Sequence, residues 1–449
     1  MKIWLICTYV QTCLSLSELY KKVLSHHPLA RAIGLAPLIA QWEATATKGV
    51  WDPTLQASFT EKLYKRQLYY TLFSADLKVP VWNGIDLKSV YEQTGGFSLN
   101  PEDVTPASGF VGLGVSVPLL GQGLFLDYRR AAIQKAQVYA RMAVEERRLA
   151  LAELLLEVGR DYWDWFAAYY KVQVLSQQLQ VALARLSFLR AAFAKGEATR
   201  ADTLEGWVEV QARQQALIGA RADLERKALA VQRHLWDTSE VGDNFSLRYR
   251  PDSTVPAIPY AIWQDLVANH PKLRLYALKK QERQIHRRWA IEQLRPQLQL
   301  EYFWLRDAFS WRNLSFQSVQ SGYKFGLSFA MPLYLRRARA ELTMTQLQIQ
   351  QILAEQEFEA RSLYNKALGQ IGLIDSLNRQ IELQRALVSG LWELVELELV
   401  RYQAGESDLF VVNRREREAF AAMSALYELY ARYGVEVAQL YALLAWVEG

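Results

Sequence analysis

The sequence has few of the features that catalysis or a membrane-spanning helix requires. Its 449 residues include two cysteines, Cys7 and Cys13, and five histidines. No Gly-rich phosphate loop or nucleophile motif is present, so we expect neither an enzyme nor a bound cofactor or metal. No stretch after the N-terminus approaches the roughly 20 apolar residues of a transmembrane helix, which excludes a helical membrane protein.

Neither sign of charge dominates. Lys and Arg number 52 and Asp and Glu 47, for a net charge of +5, and no basic run accompanies the excess. We therefore expect no nucleic-acid partner. With only 23 glycines and 13 prolines, extended disordered linkers are also excluded.

The first 17 residues have the pattern of a secretory signal peptide, with a basic start, a short apolar run and small residues near the end. We expect a leader of residues 1–17, cleaved before Glu18, with cleavage before Leu16 as the other option. A lipid anchor at Cys13 and a buried N-terminal strand of a cytosolic protein are the alternatives.

Prolines are confined to two groups, which leaves two long proline-free blocks at 119–250 and 333–449. Because an interior proline costs a helix about 3 kcal/mol, uninterrupted helices can form in these blocks. Both blocks carry apolar residues at three- and four-residue spacing. We expect long helices at 124–193 and 336–402, each about 100 Å at 1.5 Å per residue.

The two blocks belong to two copies of one unit. The His-Pro pair at 27–28 recurs at 270–271, and Pro-Thr-Leu-Gln at 53–56 recurs as Pro-Gln-Leu-Gln at 296–299, both 243 residues later. Two separate motifs that recur at the same offset indicate an internal duplication. Each copy predicts a short helix, a β region, a long helix, a Gly-Glu turn and a second short helix.

This order divides the chain after the leader into three parts. They are a first repeat at 18–237 with its β region at 53–118, a linker or equatorial segment at 238–259, and a second repeat at 260–449 with its β region at 296–332. The short helices are expected at 18–50, 200–235, 260–295 and 408–447.

The β regions alternate between large apolar residues and small or polar residues. Four strands are expected, within 54–60, 111–117, 297–302 and 323–330. Such alternation is typical of a membrane β-barrel and also of a soluble sandwich. The leader, the 23 Tyr and 14 Trp and the long helices favour the barrel. Whether 69–79 and 87–92 add strands or form a loop stays open.

The tandem helix-strand-helix order, the prolines around each hairpin and the turns at 193–197 and 402–406 together resemble the TolC family of outer-membrane channels. The resemblance covers about 18–447. It implies a mainly α protein with a transmembrane β part, in which three copies form an α-barrel and share one outer-membrane β-barrel. It also implies a location in the outer membrane, in contact with its lipid, extending into the periplasm.

The function that the resemblance implies is the channel of a tripartite efflux pump or of a type I secretion system. Such a channel is a passive duct for small molecules or polypeptides, and its partners are a periplasmic adaptor and an inner-membrane RND or ABC-type pump. The alternative is an exported soluble scaffold of helical repeats.

The two Gly-Glu turns are the candidate functional site. Gly196 and Gly405 are expected in the left-handed conformation that ends a helix. Either Glu197 or Thr199, and either Glu406 or Ser407, would begin the next helix. Simple helix–helix turns and solvated charges are the competing interpretation. By resemblance to the family, the residues expected at a periplasmic gate are Gly196, Arg200, Asp202, Glu205, Tyr402, Gly405, Asp408 and Arg414.

The second turn departs from the family pattern. Ser407 stands where a gating arginine is expected, and Val411 and Arg414 stand where an acidic pair is expected. Asp408, Arg414 and Arg415 are the candidate substitutes.

Overall fold

A computed structural model describes residues 12–82, 84–121, 126–236, 249–254, 258, 260–307 and 322–446. The helices are α1 (Leu16–His26), α2 (Pro28–Thr47), α3 (Tyr128–Ala194), α4 (Arg200–Gln232), α5 (Trp263–Ala268), α6 (Pro271–Glu292), α7 (Arg336–Gln403) and α8 (Leu409–Leu443). The strands are β1 (Thr12–Leu14), β2 (Thr54–Tyr64), β3 (Gln67–Trp82), β4 (Ile85–Gly95), β5 (Phe110–Leu120), β6 (Tyr249–Pro251), β7 (Gln297–Asp307) and β8 (Tyr323–Ala330).

The chain divides into two units. A helical unit contains Met1–Ala36, Glu145–Leu273 and Phe358–Gly449, and a sheet unit contains Pro37–Val144 and Arg274–Glu357. Within the described residues, none of the helices has an apolar stretch suited to crossing a membrane.

The long helices form where proline is absent. α3 has 67 residues and α7 has 68, which corresponds to about 100 Å of helix each. Each is followed by a shorter helix, α4 with 33 residues and α8 with 35. The sequence prediction of two long and two shorter helices in the proline-free blocks is therefore confirmed.

The His-Pro pairs divide the two remaining helical segments. The Nδ1 atom of His27 accepts a hydrogen bond from the Leu29 N–H at 3.1 Å, and Nδ1 of His270 accepts one from the Lys272 N–H at 3.1 Å. Burial lowers the pKa of His270, which favours the neutral ring that such an acceptor requires.

A continuous helix across either pair was the wrong expectation, because proline lacks an N–H and begins a new helix instead. The same histidine contact in both copies supports the duplication. In both copies the pair is thus a structural turn between two helices.

The core of the helical unit surrounds an aromatic run in the middle of α3. Tyr162, Trp163, Trp165 and Phe166 are almost fully buried and pack against α1. A Cβ atom at Gly434 of α8 would lie 2.1 Å from the indole of Trp163, so the two helices meet at van der Waals contact there. The run therefore packs helices together within the core.

The segment before α1 is part of this core. β1 pairs in parallel with β6, and Leu14 and Leu16 are each 2% exposed. Ser15 caps α1, accepting the Glu18 N–H at 3.3 Å while its own N–H donates to the Glu18 carboxylate at 3.1 Å. β1 covers only Thr12–Leu14, and the short apolar run on which the alternative of an N-terminal strand rests lies outside the described residues.

A leader of residues 1–17 stays a prediction, with the added consequence that cleavage at its end would remove β1 and the cap of α1. Of the predicted linker at 238–259, 249–254 contains β6, whereas 238–248, 255–257 and 259 lie outside the described residues.

The sheet unit contains one antiparallel sheet with the order β2-β3-β4-β5-β7-β8. The segments left open, 69–79 and 87–92, form most of β3 and β4. The sheet therefore has six strands rather than the four expected. The sequence criterion missed these two because apolar and polar residues alternate less regularly in them than in the other four strands.

We expect Gly434→Ala to destabilise the helical unit by about 2 kcal/mol, because the added methyl group must displace a fully buried indole. The control is Gly372→Ala in α7, where a Cβ meets nothing within 4 Å, and where alanine should stabilise the helix slightly. Thermal unfolding followed by circular dichroism measures both. Equal midpoints for the two variants would contradict the packing at Gly434.

Candidate gate at the helix turns

The first turn ends α3 with a glycine in the left-handed conformation. Gly196 has φ of 81°. The Glu197 N–H donates to the Ala192 carbonyl at 2.9 Å and the Gly196 N–H to the Phe193 carbonyl at 3.0 Å. These two bonds form a Schellman motif, which satisfies the last carbonyls of the helix.

The second turn repeats this geometry at the end of α7. Gly405 has φ of 76°, the Glu406 N–H donates to the Arg401 carbonyl at 2.9 Å, and the Gly405 N–H donates to the Tyr402 carbonyl at 3.0 Å. A Cβ atom at either glycine would meet nothing within 4 Å. Backbone conformation rather than crowding therefore requires glycine here.

Asp202 and Thr199 begin α4 with a reciprocal cap. The Asp202 N–H donates to Thr199 Oγ1 at 3.2 Å, and the Thr199 N–H and hydroxyl donate to Asp202 Oδ2 at 2.8 and 2.7 Å. Thr199 rather than Glu197 is therefore the capping residue. The bonds from the Thr199 side chain and backbone hold the pKa of Asp202 below its usual range.

Asp408 begins α8 at the equivalent position, three residues after the glycine. Its carboxylate accepts the Val411 N–H at 2.9 Å. The expectation of Glu406 or Ser407 at this cap was wrong. The Ser407 hydroxyl instead donates to Glu398 at the end of α7.

The other predicted gate residues lie on the exposed surface of the turns. Arg414 donates to Glu418 at 3.1 Å and Arg415 donates to the same carboxylate at 3.2 Å. These arginines hold the pKa of Glu418 below its usual range. Arg200 and Glu205 are exposed and Tyr402 is half-buried.

The structure places all eight predicted residues at or next to the two turns. The side-chain hydrogen bonds described for Asp202, Asp408 and Arg414 stay within their own helix ends. Their assignment to a gate stays a prediction.

An ion pair that the sequence did not predict joins α3 to α8 beside the turns. Arg185 donates to both carboxylate oxygens of Glu416, at 2.8 and 2.5 Å, and also to Asn413. The side chain of Glu416 is 5% exposed and that of Arg185 is 15% exposed. We call these three residues the α3–α8 latch.

A partial signal for the latch exists in the sequence. Asn413 and Glu416 are three residues apart on the face of α8 that also buries Val412, Ala419 and Phe420. A carboxylate within an apolar face predicts a buried cation, but it does not say which arginine supplies the charge.

One cluster has the composition of a metal site. The ligand atoms of Glu157, Asp161 and His234 lie within 4.8 Å of one another. The Arg233 guanidinium, however, donates to Glu157 at 2.6 Å and to Asp161 at 2.8 Å. Both carboxylates therefore already have a cationic hydrogen-bond partner from the chain itself.

Solved outer-membrane channels share this arrangement of helices and sheet. The channel OprN has 15% identity and a TM-score of 0.70, over 96% of this chain and 89% of that chain. VceC from Vibrio cholerae has 16% identity and a TM-score of 0.68, over 95% of each chain. The open state of MtrE from Neisseria gonorrhoeae has 14% identity and a TM-score of 0.68, over 96% and 88%. Comparison with curated proteins gives no match.

The fold is thus that of an outer-membrane channel subunit, mainly helical with a sheet part, a class that assembles as trimers of an α-barrel plus a β-barrel. Residues 98–235 and 262–445 match the sequence model of the family described as "Outer membrane efflux protein". This match covers more than two thirds of the sequence, and the chain belongs to that family. Its members are non-enzymatic ducts, which confirms that the protein is not an enzyme.

We expect Glu416→Met alone to destabilise the helical unit by about 3 kcal/mol, because it leaves the Arg185 guanidinium largely buried without its carboxylate. The double variant Arg185→Met with Glu416→Met should recover most of that loss. The matched control is Arg414→Met with Glu418→Met, an exposed pair on the same helix, which should leave thermal unfolding nearly unchanged. A double variant no more stable than Glu416→Met would contradict a buried pair.

Proposed function

We propose that this protein is the outer-membrane channel of a tripartite efflux pump or of a type I secretion system. It is a passive duct for small molecules or polypeptides, located in the outer membrane and extending into the periplasm. Family membership supports the coarse function. In this chain, the observation that supports the proposal is a sheet with an exposed apolar face and two open edges.

The apolar face of the sheet has a composition suited to lipid contact. On the edge strand β2, Leu55 is 76% exposed and Phe59 is 64% exposed, and on the other edge strand β8, Phe329 is 66% exposed. Every residue of β2 and β8 is exposed in the single chain. Exposed apolar area of this kind marks an interaction surface, and here lipid and further copies of the chain are the partners proposed.

The proposed partners follow from the same architecture. Three copies form the channel, and a periplasmic adaptor contacts the helix turns, linking the channel to an inner-membrane pump of the RND or ABC type. In this proposal the pump supplies the energy and the channel is passive. Adaptor contact would shift a closed-to-open equilibrium of the helices near the turns.

The latch suggests how such an equilibrium is restrained in this chain. Arg185 and Glu416 join the end of one long helix to the beginning of α8, whereas Gly196 and Gly405 are the points where the chain reverses. If α8 moves away from α3, the largely buried ion pair must either break or move with it. Breaking the pair costs free energy, so the closed and open arrangements are two distinct states.

We expect the purified protein to be a trimer that requires detergent and that forms ion-conducting channels in planar bilayers. Mass measurement in detergent and single-channel recording test this directly. A monodisperse protein without detergent would support the alternative of a soluble exported scaffold, because an open lipid-facing sheet cannot remain dispersed in water.

We expect Asp202→Ala to raise single-channel conductance, because it removes a carboxylate from the proposed gate. Since Asp202 also caps α4, the control is Thr199→Ala, which removes much of the cap but keeps the carboxylate. Unchanged conductance in Asp202→Ala, or an equal rise in both variants, would contradict the gate assignment.

A further inference from the structure

The first repeat has two strands that have no counterpart among the described residues of the second repeat. Between the β2 and β5 positions the chain adds the hairpin β3–β4, whereas β7 leads to β8 without an inserted strand among the described residues. The inserted strands have 16 and 11 residues, as long as or longer than β2 and β5. Strands of about 9 to 11 residues suffice to span a bilayer.

The inserted hairpin continues the two faces of the sheet. Leu77, Ala75 and Phe73 of β3 lie directly opposite Leu55, Ala57 and Phe59 of β2. Residues directly opposite each other in an antiparallel pair project from the same face. The apolar face therefore extends from β2 onto β3, which is the pattern of a lipid-facing strand rather than of an exposed loop.

The opposite face of the hairpin is polar and is tied to the strands beyond it. Lys88 of β4 forms an ion pair with Glu301 of β7 at 2.6 Å, across Gly114 of the intervening strand β5. Asp86 of β4 pairs with Lys78 at 3.0 Å and with Arg129 at 2.8 Å. These contacts fix β4 within the sheet, with its charges on the face away from lipid.

The two edges of the sheet are complementary in direction. Each strand is antiparallel to its neighbour and the number of strands is six, so β2 and β8 run in opposite directions. The open edge of β8 can therefore continue the same antiparallel ladder with β2 of a second copy. In a bilayer such edges must pair, because no water is present to satisfy their N–H and C=O groups.

We propose that three copies close a single barrel of 18 strands, six from each chain, with β8 of one copy paired to β2 of the next. This proposal rests on the trimer proposed above. The four strands per chain expected from the sequence would give only 12. Barrel diameter increases roughly linearly with strand number, and barrels of 16 to 18 strands enclose an aqueous channel. The membrane part of this protein is then a wide opening, and any restriction lies among the helices.

The test is the chemical accessibility of single cysteines on β3 in reconstituted membranes, in a chain with Cys7 and Cys13 replaced by serine. Asp76→Cys and Leu77→Cys are adjacent and lie on opposite faces of β3. Ser328→Cys and Leu327→Cys give the same comparison on β8, which is a barrel strand in either account. The probe is a charged, water-soluble thiol reagent.

We expect cysteines at 76 and 328 to react with this reagent and cysteines at 77 and 327 to be protected by lipid. Reaction at both 76 and 77, with 327 still protected, would overturn the 18-strand barrel and leave the proposed channel intact. Reaction at 327 as well would show that the sheet is not in the membrane and would overturn both proposals.

Disulfide cross-linking tests the joint between copies independently. A cysteine at Ser328 of β8 is combined in turn with one at Gln56, Ser58 or Thr60 of β2, all on the polar face. We expect at least one combination to give covalent trimers on oxidation. The control is Ser58→Cys with Ser74→Cys, whose hydroxyl oxygens are 2.8 Å apart within one chain and which should give monomers. Trimers that stay unlinked in every β2–β8 combination would overturn the proposed joint.

Discussion

The proposed assembly of this protein depends on one physical requirement. Every backbone N–H and C=O group in a bilayer must have a hydrogen-bond partner. A single chain supplies a six-stranded sheet whose edge strands, β2 and β8, are exposed along their whole length. Neither edge can remain open in lipid, and no helix described in the structure offers an alternative membrane segment. In the membrane location that we propose, the sheet becomes complete only when several copies join, and the proposed assembly follows from the sheet.

Because the unit is duplicated, both copies of the repeat use the same caps and turns at their helix ends. A histidine Nδ1 atom caps the helix after each His-Pro pair, and a left-handed glycine followed by a side-chain cap three residues later forms each turn. The copies differ in what surrounds these points. Within the part of the chain that the structure describes, the inserted hairpin occurs in the first copy alone. The α3–α8 latch links a helix of the first copy to a helix of the second. The two features on which our proposals for the barrel and the closed-to-open equilibrium rest are thus departures from the repeat.

Much of the helical architecture is predictable from the sequence because proline-free blocks and apolar periodicity are local signals. The long helices α3 and α7 and the two glycine turns follow from them. The two additional strands do not, since Ser89 and Gln93 of β4 interrupt the apolar alternation that identifies a lipid-facing strand. The Arg185–Glu416 pair joins residues that are 231 positions apart in the sequence. Residue spacing along a helix or strand cannot predict such a contact. Asp202, selected from family position, proved to cap its own helix, a role that charge alone does not reveal.

Three copies of this chain are proposed to close one barrel with six strands each. A single-particle reconstruction of the full-length protein in lipid nanodiscs tests this proposal most directly, because the strands around the membrane section can be counted. We predict threefold symmetry and 18 strands, with β8 of each chain beside β2 of the next. A membrane section with 12 strands, or with β3 and β4 outside the bilayer, would contradict the claim.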